Sequence, residues 1–93
     1  MPTIKEMLGD RHPQTLQSIN NMAGLLKAMG KLEDAEPLYR RALEGSEATL
    51  GKSHPNTLTS INNLGQLLQA MGKLEDAEPL YWRELEAVSY TQL

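Results

Sequence analysis

The two histidines of this chain come as a pair of identical dipeptides, His12-Pro13 and His54-Pro55. An imidazole is a common metal ligand and a general base near neutral pH. Either use needs convergent partners, and neither histidine has one within its own stretch of sequence. Both are read as residues that start helices. Two carboxylate runs, Glu33/Asp34/Glu36 and Glu75/Asp76/Glu78, offer the hard oxygens that a divalent cation takes. At helical spacing they fall on different sides of a helix, which points to a solvated run at a helix N-terminus. The amide pairs Asn20-Asn21 and Asn62-Asn63 carry a different chemistry. An Asn amide donates and accepts at once, so it can pair with the backbone of an extended peptide whatever that peptide's side chains. Asn is a poor residue for a helix interior, and four of them in matched pairs call for a reason. The sequence contains no cysteine, no glycine-rich phosphate loop and no nucleophile with a base and orienter beside it. No catalytic residue, metal ligand or cofactor is therefore assigned, and the chain is not expected to be an enzyme.

What must position these groups is a small fold. Ninety-three residues make one domain or a slice of a larger one. Hydrophobic residues at 40% and charged residues at 23% suit a soluble globular chain. Nine Lys and Arg against twelve Asp and Glu give a net charge of −3, which argues against a nucleic-acid or anionic-membrane partner. No apolar run approaches the ~20 residues that span a bilayer. The opening MPTIKEMLGD has no signal-peptide stretch, and the expected location is cytoplasmic.

The chain repeats itself. The segment from Leu8 and the segment from Leu50 align with a period of 42 residues, and 28 of those 42 positions are identical, including the run AMGKLEDAEPLY. Residues 8–49 form the first unit, 50–93 the second with a drifting C-terminal tail, and 1–7 the remnant of an earlier unit or a cap. Within the first unit Leu16, Ile19, Met22, Ala23, Leu26 and Met29 recur at helical steps, and all are expected in the core. Pro13 suits a first helical turn, and Gly30 a left-handed closing residue. Helices are expected over about 13–29, 32–49, 55–71 and 74–90. The short Gly30-Lys31 link makes each pair an antiparallel hairpin. Pro37 and Pro79 fall past the first turn of each second helix. The apolar stripe runs through them, so a continuous helix kinked at the proline is expected; the alternative is a helix that starts at the proline.

In the second unit Ile61, Leu64-Gly65, Leu68, Gly72, Leu74, Ala77 and Tyr81 follow in order and spacing the pattern of a tetratricopeptide repeat. The first unit resembles it through Ile19, Met22-Ala23, Leu26, Gly30, Leu32, Ala35, Tyr39 and Ala42. The period is longer than that family's roughly 34 residues, with the excess after the second helix. Glu84 stands where the last small residue is usual. The long period, the Asn-Asn pair and the AEPLYRRAL segment are similar to the repeats of kinesin light chain and nephrocystin-like proteins. The resemblance implies an all-α, right-handed α-solenoid of two helix-turn-helix repeats, a module from a longer array, with protein or peptide partners.

It also implies a concave groove lined by the first helix of each repeat. Off-stripe residues there are Gln17, Asn20, Asn21, Gly24 and Lys27, then Thr59, Asn62, Asn63, Gln66 and Gln69. The set is polar and mostly uncharged, which suits a groove that holds partner peptide segments. The resemblance implies that a clamp for a free acidic C-terminus, as in chaperone-binding members of the family, would need Lys or Arg at the positions of Asn20 and Asn62, and neither is there. A second surface is expected at the chain's far end. Trp82 replaces Arg40 of the first unit, and Leu85, Val88 and Tyr90 continue an apolar face. Such a face suits self-association into a homo-oligomer.

Overall fold

The computed structural model describes residues 12–91, with side chains through residue 88. The expected remnant at 1–7 and the Tyr90 side chain lie outside the described residues. Four helices follow one another: α1 (Pro13–Ala28), α2 (Leu32–Leu50), α3 (Pro55–Ala70) and α4 (Leu74–Thr91). No strand occurs among the described residues.

Local chemistry sets the ends of these helices. His12 and His54 are extended N-cap residues, and the Nδ1 of each accepts the backbone N–H two residues on, at 3.1 Å. Pro13 and Pro55 follow in the first turn, where an N–H would have no intrahelical partner. α1 closes at Gly30, whose φ of 81° belongs to the left-handed region. Lys31 N–H returns to the Leu26 carbonyl at 2.8 Å and Gly30 N–H to Lys27 at 3.0 Å. This double bond-back turns the chain sharply enough to begin α2 at Leu32. The same two bonds recur at Gly72 and Lys73. Glu33 and Asp34 occupy the first turn of α2, Glu75 and Asp76 that of α4, where the helix dipole favours anions.

The second helices begin well before their prolines and run through them. A helical bond, Ala35 N–H to the Lys31 carbonyl, already precedes Pro37. Pro37 takes away the donor that the Glu33 carbonyl would use. Both residues are exposed, so water can satisfy that carbonyl. α2 is three residues longer than α1, 19 against 16, so part of the long repeat goes into helix.

Each helix packs on the one before it, so α2 lies between α1 and α3. The core runs through all four: Ala23, Ala35, Tyr39, Leu43, Ile61, Leu64, Leu67, Leu68, Ala77 and Leu80. Small residues set the spacing. A Cβ on Gly65 would lie 3.0 Å from the Tyr81 ring, so the ring packs flush on α3 only because that position is bare. Met22 and Met29 depart from the expected core stripe, because they are 50% and 56% exposed. The α3 residues at their repeat positions, Leu64 and Met71, pack in the core, where α2 lies against α3. Among the described residues no helix precedes α1 to cover Met22 and Met29.

Candidate functional site

A groove of about 500 Å3 opens between α1 and α3. α1 supplies Gln14, Leu16, Gln17 and Asn20, with His12 and Pro13 at the rim. α3 supplies Asn56 and Thr59, and α2 lays Ser46 and Leu50 along the floor. Lys, Arg, Asp and Glu are all missing from these walls. The groove therefore presents amides and hydroxyls over an apolar base, and has no formal charge with which to select one.

Three of the ten residues read from the sequence converge here: Gln17, Asn20 and Thr59. The remainder are placed differently. Asn62 is tied within its own hairpin: its Nδ2 donates to Glu84 at 3.1 Å, and its Oδ1 accepts from Gln66 Nε2 at 2.6 Å. Gln69 accepts from the Tyr81 hydroxyl at 3.3 Å and borders the tail end of the molecule. Asn21 is exposed, Asn63 and Lys27 are half-buried, and Gly24 faces the Tyr39 hydroxyl. None of these four walls the groove. Lys27 sits instead in the last turn of α1, where the dipole favours a cation.

Asn20 and Asn62 occupy the same repeat position and behave differently. Where Glu84 faces Asn62, the first hairpin has Ala42, which is fully buried and offers no acceptor. The Oδ1 of Asn20 is closed off from solvent without a partner. A buried amide oxygen without a partner costs about 1–3 kcal/mol, a cost that the Asn62 oxygen avoids through Gln66. Gln14 and Asn56 were not foreseen. Each lies one turn before Gln17 or Thr59 on the same face, and they are related by the 42-residue period, so extending the stripe by three residues would have reached them.

Charge is concentrated elsewhere, between the hairpins. Lys73 Nζ bonds Glu36 Oε1 at 2.9 Å, Arg40 bonds Glu36 Oε2 at 2.9 Å, and Arg83 on α4 pairs with Glu47 on α2. The Lys73 bond, joined by Arg40, holds the Glu36 carboxyl below its ordinary value although burial pushes the other way. Burial raises the Tyr39 hydroxyl. Among the described residues no three His, Asp or Glu side chains gather as a metal site, and no helix is long and apolar enough to cross a membrane.

Two like helical hairpins, packed in series around one core and carrying a neutral polar groove, define an α-helical repeat module. The model of the tetratricopeptide repeat family matches residues 14–88, and the chain belongs to that family. Repeats of this family mediate protein–protein interaction. No curated protein matches the chain.

Proposed function

We propose that the chain is a scaffold module that holds an extended segment of a partner protein in the groove between α1 and α3. The observation that carries this reading is the run of uncharged amides, Gln14, Gln17, Asn20 and Asn56, gathered on the walls of one groove with no Lys, Arg, Asp or Glu among them. A peptide backbone brings both an N–H and a carbonyl at each residue, and a side-chain amide can pair with either. Gln14, Gln17, Asn56 and Thr59 extend the same capacity along both walls. Leu16 and Leu50 offer a seat for one apolar side chain of the guest. The neutral walls favour a segment without strong charge over a free acidic C-terminus. The resemblance to the long repeats of kinesin light chain and nephrocystin-like proteins, which are cargo- and partner-binding arrays, agrees with this use.

The test is binding of a displayed library of uncharged peptides, followed by fluorescence polarisation on the sequences that survive selection. Asn20→Ala and Gln17→Ala should each weaken those peptides about tenfold, the equivalent of ~1.4 kcal/mol. Asn63→Ala, away from the groove, should leave affinity unchanged. Peptides that bind Asn20→Ala and Gln17→Ala as tightly as the native chain would remove the groove from consideration.

A further inference from the structure

The two ends of this molecule are the complementary halves of the contact at its middle. Adding 42 to a residue number carries the first hairpin onto the second, and several pairs so related differ sharply in exposure. On α3, Leu64 and Leu67 are 1% and 0% exposed, while their counterparts on α1, Met22 and Leu25, are 50% and 55% exposed. On α2, Leu43 is 7% exposed, while its counterpart on α4, Leu85, is 54% exposed. Leu32 packs against the core and Leu74 is open; Ser46 is buried and Val88 is exposed. These differences map the internal contact. α3 seats on α2 through positions 64, 67 and 71, and α2 receives it through positions 32, 39, 43 and 46. α1 therefore presents outward the set that α3 uses to dock, and α4 presents outward the set that α2 uses to receive.

We propose that the chain binds a second copy of itself head to tail, with α1 of one copy seated on α4 of the next as α3 is seated on α2 within each. The seat exists as a cavity of about 410 Å3 walled by Leu74, Ala77, Tyr81, Trp82 and Leu85. Met22 and Met29, where α3 has Leu64 and Met71, bring flexible thioethers that fill irregular space and favour aromatic neighbours such as Tyr81 and Trp82. Charge repeats as well. Lys73 reaches Glu36 across the internal contact, and the same operation sets Lys31 of the incoming copy opposite Glu78. Arg40, which would stand as a like charge near that lysine, is replaced at the tail by Trp82, whose ring attracts a cation. A second copy meets the apolar set, the acidic residue and the aromatic ring together, which is why it is the occupant assigned here. The contact is heterologous: each copy uses one face and leaves the other open, so two copies do not close and the assembly extends. This inference rests on the end faces and stands apart from the groove reading.

Sedimentation velocity of the whole chain tests it. The native protein should sediment faster as concentration rises, with no plateau at the dimer. Leu25→Glu blocks the head and Leu85→Glu blocks the tail. Both residues are exposed in the single chain, so circular dichroism should show unchanged helicity. Each variant alone should sediment as a monomer. An equal mixture should give a dimer and nothing larger, because each variant keeps the face that the other has lost. A native chain that stays monomeric at every concentration overturns the proposal. So does a dimer formed by Leu25→Glu alone, which would show tail-to-tail pairing, or a mixture that stays monomeric.

Discussion

His12 and His54 show how little a helix start requires. A cap needs one acceptor at the right reach for an orphan N–H, and Asn, Asp and Ser usually supply it. The imidazole Nδ1 is bonded to Cγ, as is the side-chain oxygen of Asn, so it reaches the same N–H. His54→Ala should therefore cost about 1 kcal/mol in urea unfolding, and His54→Asn only a few tenths. Equal losses for the two variants would mean that the ring contributes packing and not a cap. Such local features were legible from the sequence: His-Pro marked where α1 and α3 begin, and Gly30 and Gly72 where the turns fall. What separates Asn20 from Asn62 was not. The two share a position and flanking residues, and their difference comes from the facing helix 22 residues on, where one hairpin has Ala42 and the other Glu84. Helical phase shows which way a side chain leaves its own helix and is silent about what waits opposite.

At the scale of elements the same limit appears as a question of neighbours. The apolar stripe of α1 reads as continuous core, yet Met22 and Met29 are exposed, because burial there depends on a helix on the far side. α2 has neighbours on both sides, and that controls how it tolerates bulk. Ala35, on the helix that packs against both α1 and α3, is fully buried. Ala77 is nearly as buried, yet it borders the open cavity beside Trp82. Ala35→Leu should thus push two helices apart and cost about 1–3 kcal/mol. Ala77→Leu can turn its added atoms into the tail cavity and should cost less than ~1 kcal/mol. Urea midpoints of the two variants, followed by circular dichroism, decide this; equal losses would show α4 as closely confined as α2. The prolines obey the same reasoning. Pro37 is harmless to α2 because it faces water, where an orphan carbonyl finds a partner that a packed face would deny it.

Over the whole molecule, stability depends on how firmly the hairpins hold one another, since a repeat contacts only its neighbours. The apolar part of that hold is pH-independent. Glu36 supplies one ionisable part, joining α2 to the turn before α4 through Lys73, beside the Arg83–Glu47 pair. Its carboxyl lies below its ordinary value of 4.5, chiefly because the Lys73 bond and then the Arg40 pair favour the charged form over burial. A carboxyl depressed in the folded state stabilises the fold above its unfolded-state value, and the contribution is lost as pH falls through the folded-state value. Lys73 and Arg40 are about half-exposed, at 45% and 48%, so solvent screens the pairs and a modest effect follows. Glu36→Gln should lower stability at neutral pH by about 0.5–1 kcal/mol. The gap to the native chain should shrink in high salt and close once the native carboxyl is protonated. Urea titrations at neutral and acid pH, with and without salt, measure it. A gap that persisted in acid would place the role of Glu36 in packing and leave Arg83–Glu47 as the charge pair between the hairpins.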